Sequence, residues 1–220
     1  MARSSAAQKV DALPLVETAR RPGFGGGKTP PPVEPTRPVG SNAWVAMVML
    51  LGAETMFFAG LIGAYLVFRL SSAVWPPPFQ PRLPTMVTAL NTLILIASAV
   101  TMRLGVRAQR RGPAWRGVRW LSCTAVLGAV FLAVQGFEWL RLIRFGLTVS
   151  SSVYGSLFYT IIGFHALHVF GGLVWLIAVW LRTCAGKIAG RNPVALQLCA
   201  MYWTFVVALW PALYGLVYLY

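Results

Sequence analysis

Five runs of apolar residues, Ala43 to Phe68, Thr85 to Met102, Trp120 to Leu140, Val153 to Leu181 and Ala195 to Leu219, govern what this chain can become. Each is near or above the roughly 20 residues that a helix needs to cross a hydrocarbon core of about 30 Å. Backbone amides find no water inside a bilayer, so runs of this length enter it as helices. The second run is the shortest, and it lengthens if Leu104 to Val106 are counted past a snorkelling Arg103. Only 11% of the residues are charged and 57% are hydrophobic, whereas soluble proteins carry about 25% charged residues. An ordinary soluble enzyme is thereby excluded. The expected fold is an all-α integral membrane protein, a bundle of five transmembrane helices.

The cations fix an orientation. Fifteen of the 19 Lys and Arg residues fall in the N-terminal tail, in the loop after the second run and in the loop after the fourth. The opposite side has Arg69, Arg82, Arg141 and Arg144. The positive-inside rule therefore predicts a cytoplasmic N-terminus and an external C-terminus. A net charge of +14 does not argue for nucleic acid, because the cations sit in short clusters between apolar runs rather than in one patch of a folded domain. They suit an anionic membrane surface, with Arg103, Arg107, Arg110, Arg111, Arg116 and Arg119 as the expected headgroup contacts.

Residues 1–42 hold seven prolines and a GFGGGK stretch, with no apolar run long enough for the core of a signal peptide. They read as a flexible basic cytoplasmic tail, and residues 43–220 as the five-helix membrane domain. Ser41 and Asn42 are expected to cap the first helix. The WPPP of Trp75 to Pro78 reads as a rigid external turn with an interfacial tryptophan.

Polar groups inside the apolar runs carry the most information. Glu54 lies eleven residues beyond Ala43, about 16 Å along a helix and so near the midplane. A carboxylate at that depth costs on the order of 3 kcal/mol on insertion. It must face protein or a polar cavity, as a neutral acid joining two helices or as a group that handles protons or lipid. Glu138 falls near the outer surface, where a pair with Arg141 at i,i+3 is expected. The two histidines, His165 and His168, share a face of the fourth helix. His165 matches Glu54 in depth and is its expected hydrogen-bond partner. Two histidines one turn apart on a single helix do not suit a haem held between facing helices, and they are too few for a haem-copper centre. Cys123, Cys184 and Cys199 lack the spacing of a disulfide scaffold or a thiolate metal site. No metal site and no catalytic centre are expected in this chain.

Gly52, Gly60 and Gly63 in the first run and Gly163, Gly171 and Gly172 in the fourth are expected to allow close helix contact. Pro211 predicts a kink in the last helix, since it removes a donor and clashes with the carbonyl of Val207. Tyr202, Trp203, Tyr214, Tyr218 and Tyr220 read as interfacial anchors or packing residues.

From Asn42 onward these strings, in order, resemble subunit III of the haem-copper cytochrome oxidases in its five-helix form. AETMFFAGLIGAYLVFR, Ala53 to Arg69, holds the family's membrane glutamate at Glu54. WPPP follows, then LNTLILIASAVT with Asn91, Thr92 and Ser98 at the family's polar positions, and QGFEW with the Q-x-x-E pair Gln135 and Glu138. YGSLFYTIIGFHALHVFGG places His165 and His168 in the H-x-x-H-V pattern. The last helix keeps Tyr202, Trp203, Phe205, Val206 and Trp210, but Thr204 and Ala208 stand where family members commonly have His and Asp.

The resemblance implies a non-catalytic subunit that packs beside catalytic subunit I, with subunit II in the same complex. It implies retention of structural phospholipid and support for proton uptake. Haem and copper would reside in the partner subunits, with none bound by this chain, and the location would be the bacterial inner membrane. The substitutions at Thr204 and Ala208 put a proton-handling role for the last helix in doubt. An accessory subunit of a nitric-oxide reductase system is the alternative within the same fold. A small membrane transporter using Glu54, His165 and His168 is the alternative from another class, although an odd number of spans does not divide into an inverted repeat.

Overall fold

The computed structural model describes residues 39–75, 77, 83–111, 113–186 and 194–219. Residues 1–38 of the tail reading, the loop cations Lys187 and Arg191, and two of the four WPPP residues, Pro76 and Pro78, fall outside them. The described residues form α1 (Val39–Ser71), α2 (Thr85–Arg111), α3 (Ala114–Arg144), α4 (Val153–Cys184) and α5 (Val194–Tyr214), with a π-helical turn at Gly215–Leu219. All five helices are long and apolar enough to cross a membrane. The chain is a multi-pass membrane protein of all-helical fold.

The helices outrun the apolar segments because arginine-bearing turns remain helical beyond the hydrocarbon. α2 ends on Arg110 and Arg111, and α3 on Arg141 and Arg144. At 33 residues α1 is about 50 Å long, more than the membrane's 40–45 Å with headgroups, so it tilts or projects. It begins at Val39, which puts Ser41 and Asn42 inside the helix rather than at its cap. Stops are set by local chemistry. Gly146, at φ +89°, follows α3 in the left-handed region while Leu147 N–H bonds Leu142 O at 3.1 Å. Ser152 caps α4 by accepting from Gly155 N–H at 3.1 Å.

Buried positions follow a 3.5-residue rhythm. On α3 they are Gly117, Leu121, Thr124, Gly128, Phe131, Gln135, Glu138 and Leu142. On α2 they are Thr88, Asn91, Thr92, Leu95, Ser98, Met102 and Gly105. Alternating steps of three and four residues keep one seam facing a partner along two slightly wound helices. α2 and α3 accordingly form the most extensive helix pair, an antiparallel hairpin. Polar rungs join its two halves: Asn91 Nδ2 donates to Phe131 O at 3.1 Å, and the hydroxyls of Thr101 and Thr124 meet at 2.9 Å.

α4 packs against α3, α5 and α1. α5 touches α2, where Trp203 Nε1 donates to Ser98 Oγ at 3.1 Å and Trp210 Nε1 to Thr92 Oγ1 at 2.8 Å. Trp203 is therefore an internal packing residue about 14 Å into its helix and not an interfacial anchor. The chain continues helically through Pro211, and the wider turn at Gly215–Leu219 carries Val217 and Tyr218 into the interior.

α1 is the peripheral element. Only 11% of its most apolar stretch is buried, against 28–39% in the other four helices. Its inward seam runs through Leu51, Glu54, Phe58, Leu61 and Tyr65, of which Phe58 and Tyr65 are fully buried. The expected close packing at Gly52, Gly60, Gly63 and Gly171 does not occur: a methyl added at any of them meets nothing within 4 Å. Close approach happens elsewhere. A methyl on Gly128 would lie 2.6 Å from the Trp203 ring, and one on Gly172 3.1 Å from Tyr202. Gly52 and Gly60 lie on the exposed face of α1, off its inward seam.

Candidate functional site

Glu54 and His168 join α1 to α4. The seam of α1 turns Glu54 inward, and His168 Nε2 lies 2.9 Å from its Oε2. The other ring nitrogen, Nδ1, lies 2.6 Å from the carbonyl of Phe164, one turn back on the same helix. A carbonyl oxygen has no hydrogen to give, so Nδ1 must be the donor there. The bond to Glu54 then holds a single proton between Nε2 and Oε2. Either a neutral acid donates to a neutral imidazole, or an imidazolium donates to a carboxylate. Both forms are neutral overall, which lowers the cost of placing two ionisable groups between apolar membrane helices. Side-chain exposure is 16% for His168 and 21% for Glu54, so the pair borders the surface of the bundle rather than its centre. Phe58 packs edge-on to the imidazole at 5.2 Å, and Tyr202 O–H reaches His168 O at 3.5 Å.

His165 is not the partner of Glu54. Three residues along a helix turn the side chain by about 300°, so the two histidines differ by about 60° in direction. Only the direction of His168 meets α1. His165 is fully buried, stacked on Trp210 at 4.8 Å, with Phe58 and Phe131 around it at 6.5 and 6.4 Å. Neither of its ring nitrogens has a hydrogen-bond partner among the described residues.

Glu138 turns away from its expected partner Arg141. It occupies the α3 seam between Gln135 and Leu142 and is 5% exposed, while Arg141 is exposed and lies over the Phe145 ring at 5.9 Å. The i,i+3 offset that brings the two close in sequence also points one into the bundle and the other out. Next to Glu138 on the seam, Gln135 Nε2 donates to Tyr218 O–H at 3.3 Å. Asn91, Gln135 and Glu138 thus serve the interior of one half of the bundle, and Glu54 with His168 its edge toward α1. The two groups are separate.

Comparison with known proteins decides the family. The profile described as cytochrome c oxidase subunit III matches residues 34–220. The chain belongs to the cytochrome c oxidase subunit III family. Among relatives, a probable cytochrome c oxidase subunit 3 of Nocardia farcinica is 38% identical over 176 residues, covering 79% of this chain and 86% of its own. That of Mycobacterium leprae is 39% identical over 175 residues with the same coverage. The cytochrome c oxidase subunit 3 of Synechocystis is 36% identical over 174 residues, covering 79% of this chain and 73% of its own. The nitric-oxide reductase and transporter alternatives draw no support from these relatives.

Within this subunit III fold, the departures on α5 lie at its margins. Thr204 lines a groove of about 390 Å³ with Trp44, Val106 and Arg110, and Ala208 is exposed. Arg103, Arg107, Arg110, Arg111, Arg116 and Arg119 are all exposed at the same end of the α2–α3 hairpin. Among the described residues no three His, Cys, Asp or Glu side chains group as a metal site. Residue-by-residue reading missed Tyr218, Trp210 and Thr88 as members of the polar interior. The three-four spacing of Thr88, Asn91 and Thr92, Leu95 and Ser98 was the available signal, because hydroxyls repeated along one seam need donors from a facing helix.

Proposed function

We propose that this chain acts as the non-catalytic third subunit of a haem-copper terminal oxidase in the bacterial inner membrane, beside subunits I and II. Membership of the subunit III family over residues 34–220 supports this reading, and the names of its relatives favour cytochrome c as the electron donor of the complex. Haem and copper belong to the partners in this reading. The contribution of this chain is assembly, retention of phospholipid and a favourable setting for proton uptake. The arginine-rich end faces the cytoplasm, as the excess of cations on that side argues.

The observation that carries a role beyond packing is the 2.9 Å contact of His168 Nε2 with Glu54 Oε2 at the edge of the bundle, where the bond of Nδ1 to Phe164 O leaves one proton for the pair to share. A neutral pair that holds one movable proton suits a group that relays or buffers protons beside a proton-consuming partner. Oxygen-linked proton uptake by the purified complex, measured across pH with Glu54→Gln, tests it. Slower uptake at alkaline pH in a fully assembled Glu54→Gln complex is expected. Unchanged uptake at every pH would leave the pair as a structural clasp alone.

A further inference from the structure

His165 sits where all five helices meet, and its aromatic neighbours use none of its polar atoms. Phe58 of α1, Phe131 of α3 and Trp210 of α5 surround the imidazole, with ring centroids at 6.5, 6.4 and 4.8 Å. α2 closes the group through two bonds. Trp210 Nε1 donates to Thr92 Oγ1 at 2.8 Å, and Asn91 Nδ2 donates to the carbonyl of Phe131 at 3.1 Å. All of these side chains are buried, His165 completely. Stacking on Trp210 occupies the face of the imidazole and leaves its edge, which carries both nitrogens, for other contacts. A phenyl ring would suit aromatic neighbours as well and would avoid taking two polar atoms out of water.

Polar atoms are left over on both sides of this group. A neutral imidazole has one N–H to give and one bare nitrogen to accept, and neither ring nitrogen finds a partner among the described residues. Asn91 Oδ1 is also buried without a partner. Its direction is fixed, because a carbonyl only accepts: the amide nitrogen of Asn91 must face Phe131 O, so Oδ1 faces elsewhere. With His165 at zero exposure, neither a partner subunit nor a lipid headgroup reaches the ring. The missing group must be small and must both give and accept hydrogen bonds.

We propose that one internal water molecule bridges His165 and Asn91. It accepts from the imidazole N–H and donates to Asn91 Oδ1. Its second hydrogen can go to the remaining lone pair of Phe131 O or Thr92 Oγ1, which makes three bonds, the usual number for a buried water. The bare ring nitrogen stays among the aromatic rings, whose edges are positive. Through this water α4 is tied to the α2–α3 hairpin by a polar link that no direct side-chain bond supplies. The site goes beyond the proton shared by Glu54 and His168 and does not depend on it.

A density map of the complete complex, at a resolution that shows ordered water, reads the site directly. One peak within about 2.6–3.2 Å of both a His165 ring nitrogen and Asn91 Oδ1 is expected. Absence of that peak, or a peak that touches only one of the two residues, overturns the proposal. The sign of a substitution gives a second test, followed by backbone hydrogen exchange of α4 in the assembled complex. If water bridges the two residues, His165→Phe strands Asn91 Oδ1 and should speed α4 exchange about tenfold, as loss of a buried polar partner does. In an Asn91→Leu background the same substitution should speed nothing. If the imidazole is instead unpartnered, His165→Phe removes a penalty and slows exchange. Slower or unchanged exchange in His165→Phe, or equal acceleration in both backgrounds, would refute the bridge. Should His165→Phe fail to assemble, the map of the unaltered complex still decides.

Discussion

Removing Glu54 should loosen α1 from the bundle by an amount the geometry allows to be stated. α1 is the least buried helix, and on its inward seam Glu54 bonds His168 of α4. Glu54→Ala leaves His168 Nε2 without that partner at 16% exposure. Losing a strong, largely buried hydrogen bond costs about 2 kcal/mol, equivalent to about a 30-fold shift toward detached α1. Glu54→Gln should cost far less, because its amide can donate to Nε2 while Nδ1 keeps its bond to Phe164. The assay is a double-mutant cycle in detergent with Glu54→Ala, His168→Ala and both, read by denaturant unfolding. A coupling near 2 kcal/mol is expected for groups in direct contact. Coupling below about 0.5 kcal/mol, or a glutamine variant as unstable as the alanine variant, would refute the argument that one shared proton bonds the two helices.

Gly128→Ala should lower stability by about 1–3 kcal/mol through overpacking, because Trp203 is held by Ser98 and cannot retreat from the new methyl; Gly60→Ala should leave the melting temperature of the solubilised chain unchanged. Arg141→Gln should not alter thermal stability, since Arg141 has no carboxylate partner among the described residues, whereas Glu138→Lys should reduce accumulation of the chain in membranes, because the longer cation would be forced into a buried seam position with no anion beside it among the described residues; thermal melts check the first and immunoblots of membrane fractions the second. The chain purified away from its partners should show no haem absorbance, and stoichiometric haem on it would contradict the assignment of redox centres to the other subunits.

Length and hydropathy made the five spans legible, and residue identity made Glu54, His165 and His168 conspicuous. Direction around each helix was the part that sequence concealed. In a soluble helix the buried stripe is apolar and the exposed one polar, but a bilayer is as apolar as the protein interior and removes that contrast. Val45, Met49, Met56 and Val67 therefore face outward while Asn91, Gln135 and Glu138 face inward. Depth from the end of a span, about 1.5 Å per residue, placed Glu54 level with the histidines but gave no angle, and so could not choose His168 over His165. Glu138 was paired with Arg141 for the same reason, and of the two readings of Trp203, interfacial anchor or packing residue, only a hydroxyl on α2 selects the second.

The hydroxyls of α2 carry a consequence for how the chain is made. Thr88 bonds Pro84 O, Thr92 bonds Thr88 O, Ser98 bonds Leu95 O and Thr101 bonds Ser98 O, all within or just before their own helix. A helix whose hydroxyls are satisfied locally can leave the translocon for lipid before its neighbour has been synthesised. Asn91 is different, because its amide finds the carbonyl of Phe131, forty positions later. During synthesis, then, α2 can cross alone with one polar debt, and the arrival of α3 discharges it and locks the hairpin.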